Sequence, residues 1–164
     1  MITKIISGAQ TGADIAGLHT AKKFGIETGG WMPRGFITQD GPRPQYQEWY
    51  GIAEHSSHLY PPRTYLNVKE SDGTMRFAAN FHSSGELCTL KAIRQYNRPC
   101  FDVDLLHPEP HSIQKAIAWI SDNNIRVLNV AGNAERTHPG TRLKVSGYLI
   151  YFLTKLGFLS TSES

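Results

Sequence analysis

Along the chain, segments with the apolar pattern of a buried strand alternate with segments that have the apolar periodicity of a helix. Short apolar runs typical of buried strands lie at 2–6, 74–79, 100–105 and 126–131, and a weaker run lies near 26–29. Between these runs, apolar residues recur every third or fourth position, as on one face of a helix. Strands that alternate with helices pair in parallel through right-handed crossovers, and helices then cover both faces of the sheet. The pattern predicts an α/β fold with a doubly wound, mainly parallel sheet of about five strands.

Four helices are predicted between and after these strands. The first spans about 13–24, and its inward face is made of small residues that allow close packing on a sheet. The second spans about 86–96 and stops before Pro99. The third begins with Ser112 as its N-cap, and the last, over 141–156, carries a broad apolar stripe.

The segment from Gly29 to Arg63 has a different composition. It holds five of the nine prolines and two of the three tryptophans, and it shows little helical or strand periodicity. A connection of this length inside a compact domain is typical of a functional loop or a lid. We therefore predict a single ligand-binding domain over 1–159 with a long loop at 29–63, followed by a flexible tail at 160–164.

Composition narrows the class of protein. The 164 residues are 40% apolar and 19% charged, as in an ordinary soluble globular domain. A net charge of +3 permits an anionic ligand, but the Lys and Arg residues are scattered, so no nucleic-acid partner is expected. No window of eighteen apolar residues exists, so no membrane association is expected.

The cysteines and the start of the sequence indicate the compartment. Cys88 and Cys100 lie in apolar contexts and are interpreted as free buried thiols, with a disulfide as the alternative. The first residues enter a strand-like run directly, without the pattern of a signal peptide. We expect a cytoplasmic protein.

The most informative stretch is the junction between the first strand and the first helix, from Ser7 to Asp14. A glycine-bounded turn that opens a helix directs backbone N–H groups and a helix dipole at one point, which suits a phosphate. The residues predicted to hold it are Ser7, Gly8, Gln10, Thr11 and Gly12. Asp14 either pairs with the dipole or holds a sugar hydroxyl, a ring nitrogen or a metal-bound water. Neither common nucleotide-binding fingerprint is present, and the alternative is a turn that only closes a βα unit.

A second candidate cluster lies at the start of the long segment. Trp31 offers a stacking surface, Arg34 offers a planar cation for phosphate, and the glycines around them allow close approach of a ligand. The alternative is a glycine and proline loop with a core tryptophan.

Two further strand-to-helix junctions carry similar residues. Ser83, Ser84 and Gly85 precede a helix and can offer N–H groups to an anion, although the carboxylate of Glu86 favours simple helix capping equally. Gly132 and Asn133 follow the last strand, where the start of the last helix favours an anion and a simple turn equally, and they would form the far wall of a shared site.

The sequence contains no convincing motif for a metal site or for a catalytic nucleophile. The histidine pairs His55 with His58 and His107 with His111 lack nearby cysteine or acidic partners. No G-x-S-x-G elbow occurs. We predict no metal site and no dedicated catalytic residue.

Five motifs in one order resemble a known family. They are Ser7-Gly8-Ala9-Gln10-Thr11-Gly12-Ala13-Asp14, Gly29-Gly30-Trp31-Met32-Pro33-Arg34-Gly35, Asp40-Gly41-Pro42, Asn67-Val68-Lys69-Glu70-Ser71-Asp72 and Leu128-Asn129-Val130-Ala131-Gly132. Together they resemble the candidate molybdenum carrier family, described as circularly permuted YpsA-like, within the superfamily of Lonely-guy and DprA proteins. The resemblance implies a Rossmann-like fold, a homo-oligomer, and binding of molybdenum cofactor (molybdopterin) or of a nucleotide.

The chain departs from the family pattern at several positions. The family usually has Gly-Gly-Thr where Ser84-Gly85-Glu86 stands, a second glycine at Ala9, an arginine at Ile15 and an acidic residue at His19. The change at Glu86 replaces a neutral turn with a carboxylate.

Two functions follow as hypotheses. The first is a molybdenum cofactor carrier that binds a phosphorylated pterin or nucleotide-like ligand at the carboxyl edge of the sheet. The alternative is a nucleoside-monophosphate phosphoribohydrolase-like hydrolase that uses Asp14 or Glu86 as an acid or base. The chain lacks the Pro-Gly-Gly-x-Gly-Thr signature of such hydrolases.

Overall fold

The computed structural model describes residues 1–161. The elements are, in chain order, β1 (Lys4–Ile6), α1 (Ala13–Lys23), β2 (Glu27–Met32), β3 (Ile37–Thr38), β4 (Gly41–Pro42), α2 (Tyr46–Tyr50), β5 (Ile52–Glu54), α3 (Tyr60–Lys69), β6 (Gly73–Ala78), α4 (Ser84–Tyr96), β7 (Cys100–Asp104), α5 (Ser112–Asp122), β8 (Val127–Gly132) and α6 (Thr141–Lys155). Within residues 1–161, no helix is long and apolar enough to cross a membrane.

The main sheet is parallel throughout and follows the order β5-β2-β1-β8-β6-β7. In the register, Ile5 of β1 lies between Thr28 of β2 and Leu128 of β8. The sheet therefore continues from β1 toward β2 on one side and toward β8 on the other, and such a switch of direction opens a crevice at the carboxyl ends of the strands. The predicted doubly wound α/β fold is confirmed, with six strands rather than five.

Helices cover both faces of the sheet. Leu128 and Val130 of β8 pack in the largest core cluster with residues of α1, α5 and α6. Asn129 and Ala131 alternate with them and face the opposite side, where α3 and α4 pack against each other through Val68 and Ile93.

Helix α1 is buried on two sides. Its small face, predicted from the sequence, packs on the sheet so closely that a Cβ at Gly17 would lie 2.7 Å from Val130 Cβ. Ile15 and Leu18 on the other side join a second cluster with Tyr50 at the end of α2. The tight fit fixes the position of the turn before α1, which carries the candidate site.

The segment predicted as one long loop at 29–63 contains several short elements. The antiparallel pair β3–β4, helix α2 and strand β5 lie within it, and α3 begins at Tyr60. Elements of two to five residues are too short to show periodicity, and the prolines at the start of α3 obscure its beginning. The prediction of a continuous loop is therefore corrected to a chain of short elements.

Two smaller predictions concern the start of α5 and the last residues of the chain. His111, with φ 62°, is the N-cap of α5 in place of Ser112, whose hydroxyl lies 2.8 Å from Tyr148 Oη. In the predicted tail, Thr161 donates its N–H to Lys23 O at 2.7 Å, and residues 162–164 lie outside the described residues.

Candidate functional site

A cavity of about 540 Å³ lies at the carboxyl ends of β1, β8 and β6, on the side covered by α3 and α4. It brings three predicted junctions together, because nine of the thirteen predicted site residues line it. These are Gly8, Gln10, Thr11, Asp14, Ser83, Ser84, Gly85, Gly132 and Asn133. The other four, Ser7, Gly12, Trp31 and Arg34, lie outside its lining.

The first turn is closed by its own hydrogen bonds. Ser7 Oγ donates to Asp14 O at 2.9 Å and accepts the Ala9 N–H at 3.1 Å. The Gln10 N–H donates to Asp14 Oδ2 at 3.3 Å. Ser7 therefore stabilises the turn through two hydrogen bonds, and the Asp14 carboxylate accepts one N–H group of the turn in which an anionic ligand was predicted to bind.

Asn133 joins the ends of β6 and β8 to the start of α1. Its Oδ1 accepts the N–H groups of Ala79 and Asn80 at 2.9 and 3.0 Å, and its Nδ2 donates to Asn80 O at 2.9 Å. Its carbonyl accepts the Ala13 N–H at 3.1 Å and lies 2.3 Å from where a Cβ at Gly12 would be. Asn133 thus has a structural role in the cavity wall, since its side-chain amide is engaged by the protein itself, and Gly12 leaves room for its carbonyl.

Arg63 enters the cavity from α3 and lies against the first turn. A Cβ at Gly8 would lie 1.6 Å from Arg63 Nη1, so only glycine leaves room for the guanidinium. Nη1 lies 3.7 Å from Asp14 Oδ2, and the guanidinium carbon lies 5.3 Å from the centre of the Tyr60 ring. The buried Nε has no hydrogen-bond partner in the described structure. Sequence reasoning missed Arg63, although Pro61 and Pro62 at the first turn of α3 are a helix-start signal.

Burial changes the acidity of Asp14. Desolvation raises the pKa of its carboxyl to about 6, against the opposing effects of the Arg63 charge and the Gln10 N–H. The group therefore titrates near neutral pH inside the cavity.

Glu86, in the first turn of α4, is the second buried carboxyl of the cavity. Its Oε2 lies 3.8 Å from Arg76 Nη1, and this oxygen has no hydrogen-bond partner in the described structure. Desolvation raises its pKa to about 7, opposed by Arg76 and reinforced by Asp14 and Asp102. Arg76 is itself held by Asp102, through two hydrogen bonds of 2.8 and 2.7 Å.

The helix cap predicted as an alternative at this junction is present. Ser83 is the N-cap of α4, and its Oγ accepts the Glu86 N–H at 3.5 Å. Ser84 and Gly85 follow in the first turn, and a Cβ at Gly85 would meet no atom within 4 Å. The N–H groups of these two residues are the ones that helix geometry leaves without an intrahelical partner.

Asn129 lies in the middle of β8 and forms part of the cavity floor. It is 3% exposed, its Nδ2 donates to Thr74 Oγ1 at 3.1 Å, and its Oδ1 has no hydrogen-bond partner in the described structure. An unpaired acceptor at this depth is costly unless a ligand or water satisfies it. Sequence reasoning quoted Asn129 only within a family motif and did not place it in the site.

The structure does not bring Trp31 and Arg34 to the cavity. The Trp31 indole donates to Glu70 Oε2 at 2.9 Å and makes an edge contact with His55 at 6.1 Å. Arg34 is exposed, and its N–H donates to Ser57 O at 2.8 Å. The cationic group within the cavity is that of Arg63.

The start of α6 carries its own carboxylate. Glu135 Oε1 accepts the Gly140 N–H at 2.6 Å, and Oε2 accepts the Arg142 N–H at 2.8 Å. The N–H groups that made this junction a candidate for an anion are therefore occupied.

Histidine and cysteine side chains form neither a metal site nor a disulfide in the described part of the chain. In residues 1–161, no three His, Cys, Asp or Glu side chains are grouped as a metal site. Cys88, which lines the cavity, and Cys100 are free thiols rather than a disulfide.

Comparison with known proteins connects this geometry to a family. The model of the circularly permuted YpsA SLOG family matches residues 5–153. The chain belongs to this family. The chain is also similar to a protein of solved structure, a candidate molybdenum carrier protein from Syntrophus aciditrophicus SB. The two sequences are 37% identical, and the match covers 93% of this chain and 95% of that chain with a TM-score of 0.85. No curated protein matches the chain. The resemblance inferred from the motifs of this YpsA-like chain is confirmed.

Proposed function

We propose that this member of the circularly permuted YpsA family is a molybdenum cofactor carrier, which binds a phosphorylated pterin or a nucleotide-like ligand in the cavity. The similarity to a protein described as a molybdenum carrier supports this class of ligand. The volume of about 540 Å³ falls within the roughly 300–1,000 Å³ of typical small-molecule sites.

The observation that carries the proposal is a set of buried polar atoms without partners. Glu86 Oε2 and Asn129 Oδ1 are acceptors, and both residues are at least 97% buried in the lining of the cavity. A pterin or a guanine presents adjacent ring N–H and amino donors along one edge. Such an edge would satisfy both acceptors, whose desolvation otherwise destabilises the folded protein.

The phosphate of the ligand would lie between Arg63 and the start of α4. Arg63 keeps a buried Nε–H without a partner, and it meets Asp14 only at 3.7 Å. Ser84 and Gly85, whose N–H groups have no intrahelical partner, line the same cavity. Because the pKa of Glu86 is about 7, this carboxyl is partly neutral near pH 7 and repels a phosphate less than an ordinary glutamate.

Equilibrium binding tests this function. Purified protein would be titrated anaerobically with molybdenum cofactor released from a molybdoenzyme, and separately with GMP and AMP. Asn129→Leu, which removes one of the two buried acceptors, and Arg63→Gln should each weaken binding roughly tenfold or more, the scale of a lost hydrogen bond. Glu109→Gln, which changes an exposed carboxylate paired with Lys115, is the matched control. Failure of wild-type protein to bind any of the three ligands would exclude the proposal.

A second candidate function is hydrolysis of a nucleoside monophosphate. The observation that favours it is the pair of carboxyls in one cavity whose pKa values are raised to about 6 for Asp14 and about 7 for Glu86. Groups that titrate near the working pH are suited to general acid and base catalysis.

Release of free base from nucleoside monophosphates tests the hydrolase. Turnover that disappears in Asp14→Asn and Glu86→Gln would support it, and binding without turnover would leave the carrier function. We further propose a cytoplasmic location, in keeping with the two free thiols, and a homo-oligomer, which light scattering of the purified protein would measure.

A further inference from the structure

We propose a second ligand site on the far side of α1, which binds an aromatic ring carrying a phosphate. A pocket of about 560 Å³ lies there between α1, α2 and the start of α6. It does not overlap the cavity described above, because Asp14 lines the first and Ile15 and His19 line the second. The inference is independent of the proposed carrier function.

The charge of this pocket is positive. Lys22, Lys23 and Arg142 line it, and within residues 1–161 no aspartate or glutamate belongs to its lining. Three cations without an acid among them set up a positive potential, which raises the local concentration of anions. This distinguishes the pocket from the carboxyl-edge cavity, where two acids oppose Arg63.

The aromatic surface of the pocket is the Trp49 ring, which is half exposed. Neighbouring rings hold it in place, with Tyr50 perpendicular at 6.5 Å and Tyr46 tilted at 6.1 Å. An exposed indole that is fixed by such contacts offers a rigid face for stacking at little entropic cost.

A cation is fixed between the backbone of Trp49 and the neighbouring Tyr50 ring. Lys22 Nζ donates to Trp49 O at 3.1 Å and lies 5.6 Å from the centre of the Tyr50 ring. The combination of a stacking ring and adjacent cations is the arrangement that recognises a nucleobase together with its phosphate. The ligand chemistry is thus a nucleotide, which is available as a free molecule or within a single strand.

Nuclear magnetic resonance can follow the site directly. The three tryptophans give three indole N–H signals, and Trp49→Phe assigns one of them. Addition of AMP should shift the Trp49 signal in a saturable and salt-sensitive manner. Adenosine and inorganic phosphate, each alone, should bind at least tenfold more weakly, and a short oligothymidylate tests the single-strand source.

Variants distinguish binding in this pocket from binding elsewhere on the protein. Trp49→Ala should weaken AMP binding roughly tenfold or more, as removal of a stacking ring does, whereas Trp49→Phe should retain most of it. Lys22→Gln and Arg142→Gln should weaken it, while Lys144→Gln, on the same helix as Arg142 but outside the pocket, should not. Binding at Trp49 should also survive Arg63→Gln, which affects only the carboxyl-edge cavity.

Three results would overturn the proposal. They are a Trp49 signal that is shifted neither by AMP nor by the oligonucleotide, binding of adenosine or phosphate alone as tight as that of AMP, and an equal effect of Lys144→Gln and Lys22→Gln.

Discussion

Replacing Glu86 by glutamine should stabilise the protein at alkaline pH and leave it nearly unchanged in acid. Glutamine keeps the shape of the side chain but cannot ionise, so the variant isolates the free energy of a buried charge. Glu86 is 2% exposed, and its Oε2 has no hydrogen-bond partner among the described residues. The folded protein therefore holds the carboxyl with little to solvate its negative form.

The magnitude follows from the pKa. Burial, with smaller contributions from Asp14 and Asp102, raises the Glu86 pKa from 4.5 to about 7 in spite of Arg76. At about 1.4 kcal/mol per pH unit, this corresponds to a penalty of about 3 kcal/mol for the ionised group. Because the pKa is raised on folding, the favourable contribution is fully present below pH 4.5 and is lost as pH rises through 7. Between pH 5 and pH 8.5, wild type should lose about 2.5 kcal/mol relative to the variant.

Urea denaturation of both proteins at half-unit pH steps measures this difference. The stability difference should follow a titration curve with a midpoint between the two pKa values, and it should shrink in an Asp14→Asn background because the Asp14 charge is one cause of the shift. A constant difference between the proteins across this pH range would refute the reasoning, since it would mean that Glu86 has the same pKa folded and unfolded.

Three further substitutions test the wall, the turn and the core. Asn133→Ala removes three side-chain hydrogen bonds at the ends of β6 and β8, and urea denaturation should show a loss of about 2–4 kcal/mol. Gly8→Ala places a Cβ where Arg63 Nη1 lies, so calorimetric titration should show ligand binding weakened by a larger factor than the change in unfolding free energy explains. Phe152→Ala, at a fully buried position of α6, should cost about 3–5 kcal/mol, whereas Leu143→Ala, at an exposed position of the same helix, should stay within about 0.5 kcal/mol in thermal or urea unfolding.

The predictable part of the fold is the part whose periodicity extends over whole elements. Helix α1 was found because its small residues recur on one face over three turns, and that face does pack on β8. Strand β5 and helix α3 were missed for a different reason. The strand has three residues, and the helix opens with Tyr60-Pro61-Pro62 and has only three buried positions, so neither shows a clear pattern.

The candidate site was predictable as far as it lies at strand ends. Parallel topology places the ends of β1, β6 and β8 at one edge, and this brought Gly8, Ser84 and Gly132 to one cavity. Arg63 could not be found in this way, because its position depends on how α3 packs across the sheet. Asn129 lies inside a strand, where a buried apolar residue is the usual expectation, and only the three-dimensional structure shows its unpaired oxygen.

At these three junctions, the sequence pattern predicted the location of the cavity but only part of its chemistry. Each was expected to bind an anion through the N-terminus of a helix, and each contains a carboxylate of the protein itself. Asp14 accepts the Gln10 N–H at α1, Glu135 accepts two N–H groups at α6, and Glu86 lies in the first turn of α4. Asp14 accepts one N–H group of the turn before α1, and Glu135 accepts two N–H groups at the start of α6, so these three groups are not available to a ligand.

Glu86 differs from the other two, because it makes no hydrogen bond through Oε2 and its pKa is close to 7. When Glu86 is protonated, it carries no negative charge near the start of α4, and the N–H groups of Ser84 and Gly85 are then available to a phosphate. Protonation of Glu86 should therefore strengthen phosphate binding at this helix and at Arg63. Binding of a phosphorylated ligand should weaken as pH rises through 7 in wild type and show a flatter profile in Glu86→Gln. A steeper loss of affinity with rising pH in the variant than in wild type would contradict this coupling.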